Sequence, residues 1–206
     1  MSDYVAVIDY GLCNLDSVRR ALEECGATAK ITDDPADIEA ADRCVLPGVG
    51  AFAKAMDNLN QRGLSDAIRT HVQIKQRPML GVCLGMHLLG SYGEESGGAD
   101  GLGLVPARIV KLHPAEARER VPHVGWNAVN VRKDSVLFQE VSAGTDYYFV
   151  HSYHMQCETA EDILATTPYC GGFVSAIESG CVMGVQFHPE KSQSAGFRLI
   201  SNFLEF

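Results

Sequence analysis

No apolar run in the sequence approaches the roughly 20 residues that a membrane-spanning helix needs. The opening stretch MSDYVAVIDYG has no basic leader ahead of its short apolar segment. It reads as a strand rather than an export signal. Basic residues are also scarce, 17 Lys and Arg against 26 Asp and Glu, for a net charge of −9. That balance argues against a cationic face for nucleic acid. No two cysteines form a C-x-x-C pair, so the usual frame for structural zinc is missing and no metal or cofactor is expected. The seven cysteines have no regular spacing. Without a leader they point to reduced thiols in a cytoplasm. There is no internal repeat and no low-complexity tail.

What is present is an ordinary globular balance, 46% hydrophobic and 21% charged over 206 residues, expected to form one domain across 1–206. Residues 4–9 (YVAVID) form a β-rich run. Leu15, Val18, Leu22 and Cys25 follow at helical spacing, closed by Gly26. TAKIT (28–32) and RCVLPG (43–48) read as strands, 51–76 as two amphipathic stretches divided at Gly63, and PMLGV (78–82) as a buried strand leading into a helix at 84–90. This alternation predicts an α/β fold, a mostly parallel sheet flanked by helices. After the glycine-rich loop 94–103, short strand-like runs between 107 and 187 predict an antiparallel addition, and 194–206 a closing helix.

Gly81-Val82-Cys83-Leu84-Gly85 is G-x-C-x-G at a strand-to-helix junction, the thiol form of a nucleophile elbow. A helix N-terminus under the sulfur favours the thiolate. The other six cysteines read as buried core thiols. A thiol nucleophile needs a base, and the base an orienting group. GVQFHPEKS (184–192) offers His188 and, two residues on, Glu190. In extended chain the two point to one side. His151 and His154 are rival bases. LPGVGAF (46–52) places Gly48 and Gly50 around Val49, where peptide N–H groups can face a developing oxyanion.

LPGVGAF, GVCLGM, VPHVGWN, YFVHSY and GVQFHPEKS together resemble the triad (class I) glutamine amidotransferases. Within them they resemble the glutaminase subunits of imidazole glycerol phosphate synthase. The resemblance runs nearly end to end, from DYGLCNLDSV to the last helix. It implies a flavodoxin-like sheet, with Cys83 as nucleophile, His188 as base and Glu190 as orienting acid. It implies that Gly48, Val49, Gly50, His87, His151, Ser152 and Tyr153 bind L-glutamine. The ammonia released would pass to a (β/α)8-barrel cyclase in a heterodimer, contacted by Asn14, His123, Trp126, Asn127 and Lys191. Three departures stand out. His87 replaces a glutamine that helps hold substrate, Cys13 a glycine, and His154 a common tyrosine. They leave open a related subunit that feeds ammonia to a sugar amidotransferase. A γ-glutamyl hydrolase on the same sheet and a non-catalytic binding subunit are the readings from other classes. An imidazole at 87 would make the KM for glutamine vary across about pH 6–8. Trp126, the only tryptophan, is either an interface anchor or a core residue.

Overall fold

Short apolar runs alternate with amphipathic ones, and the chain lays them down as strand and helix in turn. The computed structural model describes residues 4–206. Met1–Asp3, part of the stretch read as an opening strand, lie outside the described residues. Strand β1 (Val5–Ile8) is followed by α1 (Leu15–Glu24), β2 (Ala29–Thr32), α2 (Pro35–Ala40), β3 (Arg43–Gly48), α3 (Phe52–Gln61), α4 (Leu64–Arg69) and β4 (Met79–Cys83). Within β1 the side chains alternate between two cores. Ala6 and Ile8 pack with Ile38, Leu59, Leu64 and Ile68 on one face. Val5 and Val7 pack with Val18, Leu22, Leu199 and Phe203 on the other. Gly63 separates α3 from α4 with φ 70°, the left-handed geometry that glycine adopts freely.

Beyond β4 come α5 (Leu84–Leu88), β5 (Tyr92–Gly93), β6 (Ala99–Asp100), β7 (Ala107–Lys111), β8 (His123–Ala128), β9 (Asn130–Val131), β10 (Asp146–His151), β11 (Tyr153–Cys157), β12 (Ile163–Thr167), β13 (Phe173–Ser179), β14 (Val182–Val185) and α6 (Gln193–Glu205). The main sheet runs β2-β1-β3-β4-β14-β13-β11-β7-β5-β6, with β12 and β9 attached beside β13. Strands β8 and β10 form a separate antiparallel pair.

The antiparallel group expected from 107 to 187 differs at its end. Strand β14 pairs antiparallel with β13 but parallel with β4, so it is the seam between the two halves. The seam sets up the site. In the register of the sheet Gly48 lies opposite Cys83 and Val185 opposite Val82. The carboxyl ends of β3, β4 and β14 are therefore neighbours at one edge, where open α/β sheets form their crevices.

Candidate active site

Cys83 ends β4 in a strained backbone conformation, φ 55° and ψ −111°. A non-glycine residue is rare at such angles and marks a functional constraint. The glycines flanking it act through space. A Cβ on Gly85 would lie 1.7 Å from the Leu46 carbonyl oxygen, and one on Gly81 would lie 2.8 Å from the Gly85 backbone. They let α5 press onto β3 and β4, while the turn itself is carried by Cys83. Helix α5 has only five residues, one turn rather than the longer helix expected over 84–90. The sulfur is nearly buried, and its thiol points to the Val150 carbonyl at 3.8 Å.

His188 follows β14 and is 3% exposed. Its Nδ1–H donates to Glu190 Oε1 at 2.8 Å. The pairing matches the sequence reading, but the cause differs. Pro189–Lys191 form a 3-10 turn, so the carboxylate curls back under the ring instead of lying alongside it in extended chain. His188 Nε2 has no hydrogen-bond partner and faces the Cys83 side. Burial pushes the imidazole pKa down, but Cys83 and Glu190 outweigh it and lift it to about 9. The ring thus holds its proton at neutral pH.

A cavity of about 290 Å³ opens in front of the sulfur, lined by Val49, Gly50, Leu84, His87, Glu95, Pro122, His151, Ser152 and Tyr153 among others. Gly48 is placed beneath it, packed so closely that a Cβ would lie 2.1 Å from the Tyr10 hydroxyl. The Val49 N–H does not face the cavity. It donates to the Leu12 carbonyl at 2.9 Å instead. Glu95, which the sequence reading missed, accepts from the Phe52 N–H at 2.7 Å. It comes from the glycine-rich loop 94–103, whose composition carries no sign that one carboxylate turns inward.

His87 is fully enclosed, and its Nε2 is 2.6 Å from Gln186 Oε1. Burial pushes its pKa down to about 4. The imidazole stays neutral throughout pH 6–8, and the expected change in KM over that range is corrected accordingly. His151 has both ring nitrogens engaged. Nδ1–H donates to the Tyr153 carbonyl at 2.8 Å, which leaves Nε2 to accept from His123 Nδ1–H at 3.0 Å. His123 Nε2 in turn accepts from Asn127 Nδ2–H at 3.4 Å. His154 lines a different cavity. Neither rival histidine is free to serve Cys83.

The same chain of bonds corrects the interface reading. Alternation along β8 turns His123 and Asn127 inward, where His123 stacks on Tyr169 at 4.1 Å between centroids. Trp126 points outward and is 47% exposed, which excludes the core alternative. Asn14 and Lys191 are exposed. Among the described residues no cluster of His, Cys, Asp and Glu could hold a metal ion.

Residues 6–205 match the model of the family described as glutamine amidotransferase class-I. The chain belongs to the class-I glutamine amidotransferase family. The amidotransferase is 47% identical over 201 residues to the imidazole glycerol phosphate synthase subunit HisH of Moorella thermoacetica, covering 98% of this chain and 94% of that protein. It is 43% identical to the subunit of the same name from Chlorobaculum tepidum, covering 98% and 100%. A solved structure titled as a glutamine amidotransferase superposes with a TM-score of 0.76 at 20% identity, covering 98% of this chain and 97% of that one. That likeness bears on the fold alone and agrees with the α/β sheet described above.

Proposed function

We propose that this amidotransferase is the glutaminase subunit of imidazole glycerol phosphate synthase, hydrolysing L-glutamine to glutamate and ammonia for histidine biosynthesis. The observation that carries the reading is the strained Cys83 elbow beside the buried His188–Glu190 pair, in a chain whose full-length relatives bear that subunit's name. Cys83 attacks the carboxamide carbon of glutamine. His188 gives its proton to the departing nitrogen, leaving a γ-glutamyl thioester and ammonia. The now neutral ring takes a proton from water, which opens the thioester to glutamate and restores the thiolate. Glu190 keeps the Nδ1 proton and the ring orientation fixed. The Leu84 N–H, in the first turn of α5 and without an intrahelical acceptor, is one oxyanion donor. The Val49 N–H becomes the second once it leaves Leu12. Glu95 takes the substrate α-amino group, while the backbone of His151, Ser152 and Tyr153 holds the α-carboxylate end.

The ammonia passes to a (β/α)8-barrel cyclase subunit that holds the acceptor, and the complex works in the cytoplasm. Exposed apolar side chains support a docking face around the cavity mouth. Val49, Val124, Trp126 and Val150 are all more than a third exposed, and Val49 and Val150 also line the cavity. Among the described residues no helix is long and apolar enough to cross a membrane. The test uses the chain assembled with a cyclase subunit. Cys83→Ala abolishes glutamine-driven synthesis of imidazole glycerol phosphate while added ammonium still supports it. Retained glutamine-driven synthesis, or loss of both activities in a correctly assembled complex, overturns the reading.

A further inference from the structure

Gln186 is fully buried one residue past β14, two residues before His188. A buried carboxamide brings two donors and an acceptor oxygen that must all be accounted for. Its Oε1 is 2.6 Å from His87 Nε2. Its Nε2 lies 4.0 Å from Cys83 Sγ, and among the described residues the amide nitrogen has no other partner. The backbone leaves little freedom to move away, since the Gln186 N–H is bonded to the Ser175 carbonyl at 2.9 Å.

The two ends of this amide are chemically opposite, and so is what each can face. An anionic sulfur is stabilised by an N–H and destabilised by a carbonyl oxygen. The amide can be turned with nitrogen toward sulfur only if something donates to Oε1 on the far side. His87 does so when its proton is on Nε2, and burial keeps that ring neutral with one proton to place. We propose that Gln186 donates a hydrogen bond to the Cys83 sulfur, and that His87 is a positioning residue that holds the amide in the orientation able to do so. The sulfur is then held between two donors, the Gln186 amide on one side and the His188 imidazolium on the other. The inference rests on Cys83 being the reactive thiol.

Other titratable groups face the same sulfur. His188 and Glu190 come from the turn after β14, Tyr10 from the end of β1, and Glu95 and His151 from the cavity wall. All are kept in the comparison below, so a difference between variants reports on Gln186 and His87 alone. The experiment alkylates the full-length chain with iodoacetamide from about pH 5 to pH 10, which spans ordinary thiol titration, and assigns the label by peptide mass. In Gln186→Met, labelling of Cys83 at neutral pH slows by about three- to tenfold, and its profile moves alkaline by half to one unit. The near-isosteric Gln186→Glu, which sets a carboxylate against the sulfur, shifts it further in the same direction. His87→Leu reproduces Gln186→Met, because the freed amide can turn over. His87→Gln, which again offers an N–H to Oε1, restores the parent profile. A folded Gln186→Glu with the parent profile overturns the sulfur contact. A His87→Leu profile like the parent's, or a His87→Gln profile like that of His87→Leu, overturns the positioning role. If the label falls on another cysteine in the parent chain, what fails is the assignment of Cys83 itself, and the peptide map separates that outcome from the others.

Discussion

At the scale of single residues the site is a contest between burial and partners. His87, His151 and His188 are all enclosed, and burial disfavours the charged ring in each. His87 and His151 meet an amide oxygen and a carbonyl, and both pKa values fall, to about 4 and about 3. His188 meets a carboxylate and a sulfur and moves the other way, to about 9. The sign of the shift thus sets the histidine proposed as base apart from the other two, where residue type cannot. Cys83→Ala removes the sulfur's contribution and leaves burial opposed by Glu190 alone, so the His188 pKa falls. An NMR titration of the imidazole resonances in parent and variant checks this. Identical titration midpoints would show that the sulfur does not act on the ring.

At the scale of elements, three neighbouring strand ends deliver the parts of the proposed site: β3 the loop proposed to hold the oxyanion, β4 the thiol and β14 the proposed base. Much of this was legible in the sequence, because each part sits in a short local motif: G-x-C-x-G, H-P-E, P-G-V-G. What was not legible depends on contacts made across the sheet. Gln186 lies inside the GVQFHPEKS run, but nothing in that run gives it a role, and its meaning appears only when β14 is seen to pair with β4. His123 was read as an interface residue from its motif, yet alternation along β8 turns it inward, and the phase of that alternation is set by pairing with β10. The oxyanion loop itself is held by contacts from the preceding turn. The Val49 N–H is bonded to the Leu12 carbonyl, and the Cys13 thiol to the Pro47 carbonyl at 3.3 Å. The first bond must break before the Val49 N–H can turn toward the substrate, and the second restrains the adjoining Pro47–Gly48 peptide of the same loop. A missing oxyanion donor costs about 2.7–4 kcal/mol, or 10²–10³ in kcat. The lone chain is thus expected to be a slow glutaminase, accelerated by the cyclase and further by acceptor bound to it, each acting through differential affinity for the turned state. Cys13→Ala removes one restraint worth about 0.5–1.5 kcal/mol and raises basal kcat several-fold. Steady-state kcat of the lone chain, of the complex and of the acceptor-loaded complex decides the matter. A lone chain already at the rate of the loaded complex would show that the loop is no gate.

At the scale of the whole molecule, the β8–β10 pair joins two functions on its two faces. Its inner face carries His123 and His151, and the bonds from Asn127 to the Tyr153 carbonyl require both rings neutral. Burial holds His123 near 4 and His151 near 3, below the unfolded value of about 6.5. Between those limits the unfolded chain binds more protons, so stability rises with pH and is lost as pH falls below about 6.5. Each proton withheld costs about 1.4 kcal/mol per pH unit. His123→Phe, which keeps a ring against Tyr169, should flatten the fall in Tm between about pH 6.5 and 5 relative to the parent; an unchanged slope would remove His123 from the account. The outer face is the proposed docking surface. Val124 stands opposite Val150 and Trp126 opposite Tyr148 in the register of the pair, which sets four apolar or aromatic side chains side by side on one exposed surface. Trp126 contacts the Tyr148 ring edge-on, with 6.0 Å between centroids, so its indole is braced before any partner arrives and loses little freedom on docking. A pre-ordered tryptophan on an exposed apolar patch is where binding energy concentrates, about 2 kcal/mol or more on truncation. Trp126→Ala is therefore expected to weaken binding of the cyclase subunit by about 30-fold or more while leaving the Tm of the isolated chain nearly unchanged, because the side chain supports none of the core. Titration calorimetry of the two purified subunits measures the first effect and thermal unfolding of the variant the second. An unaltered Kd would move the docking surface off this face.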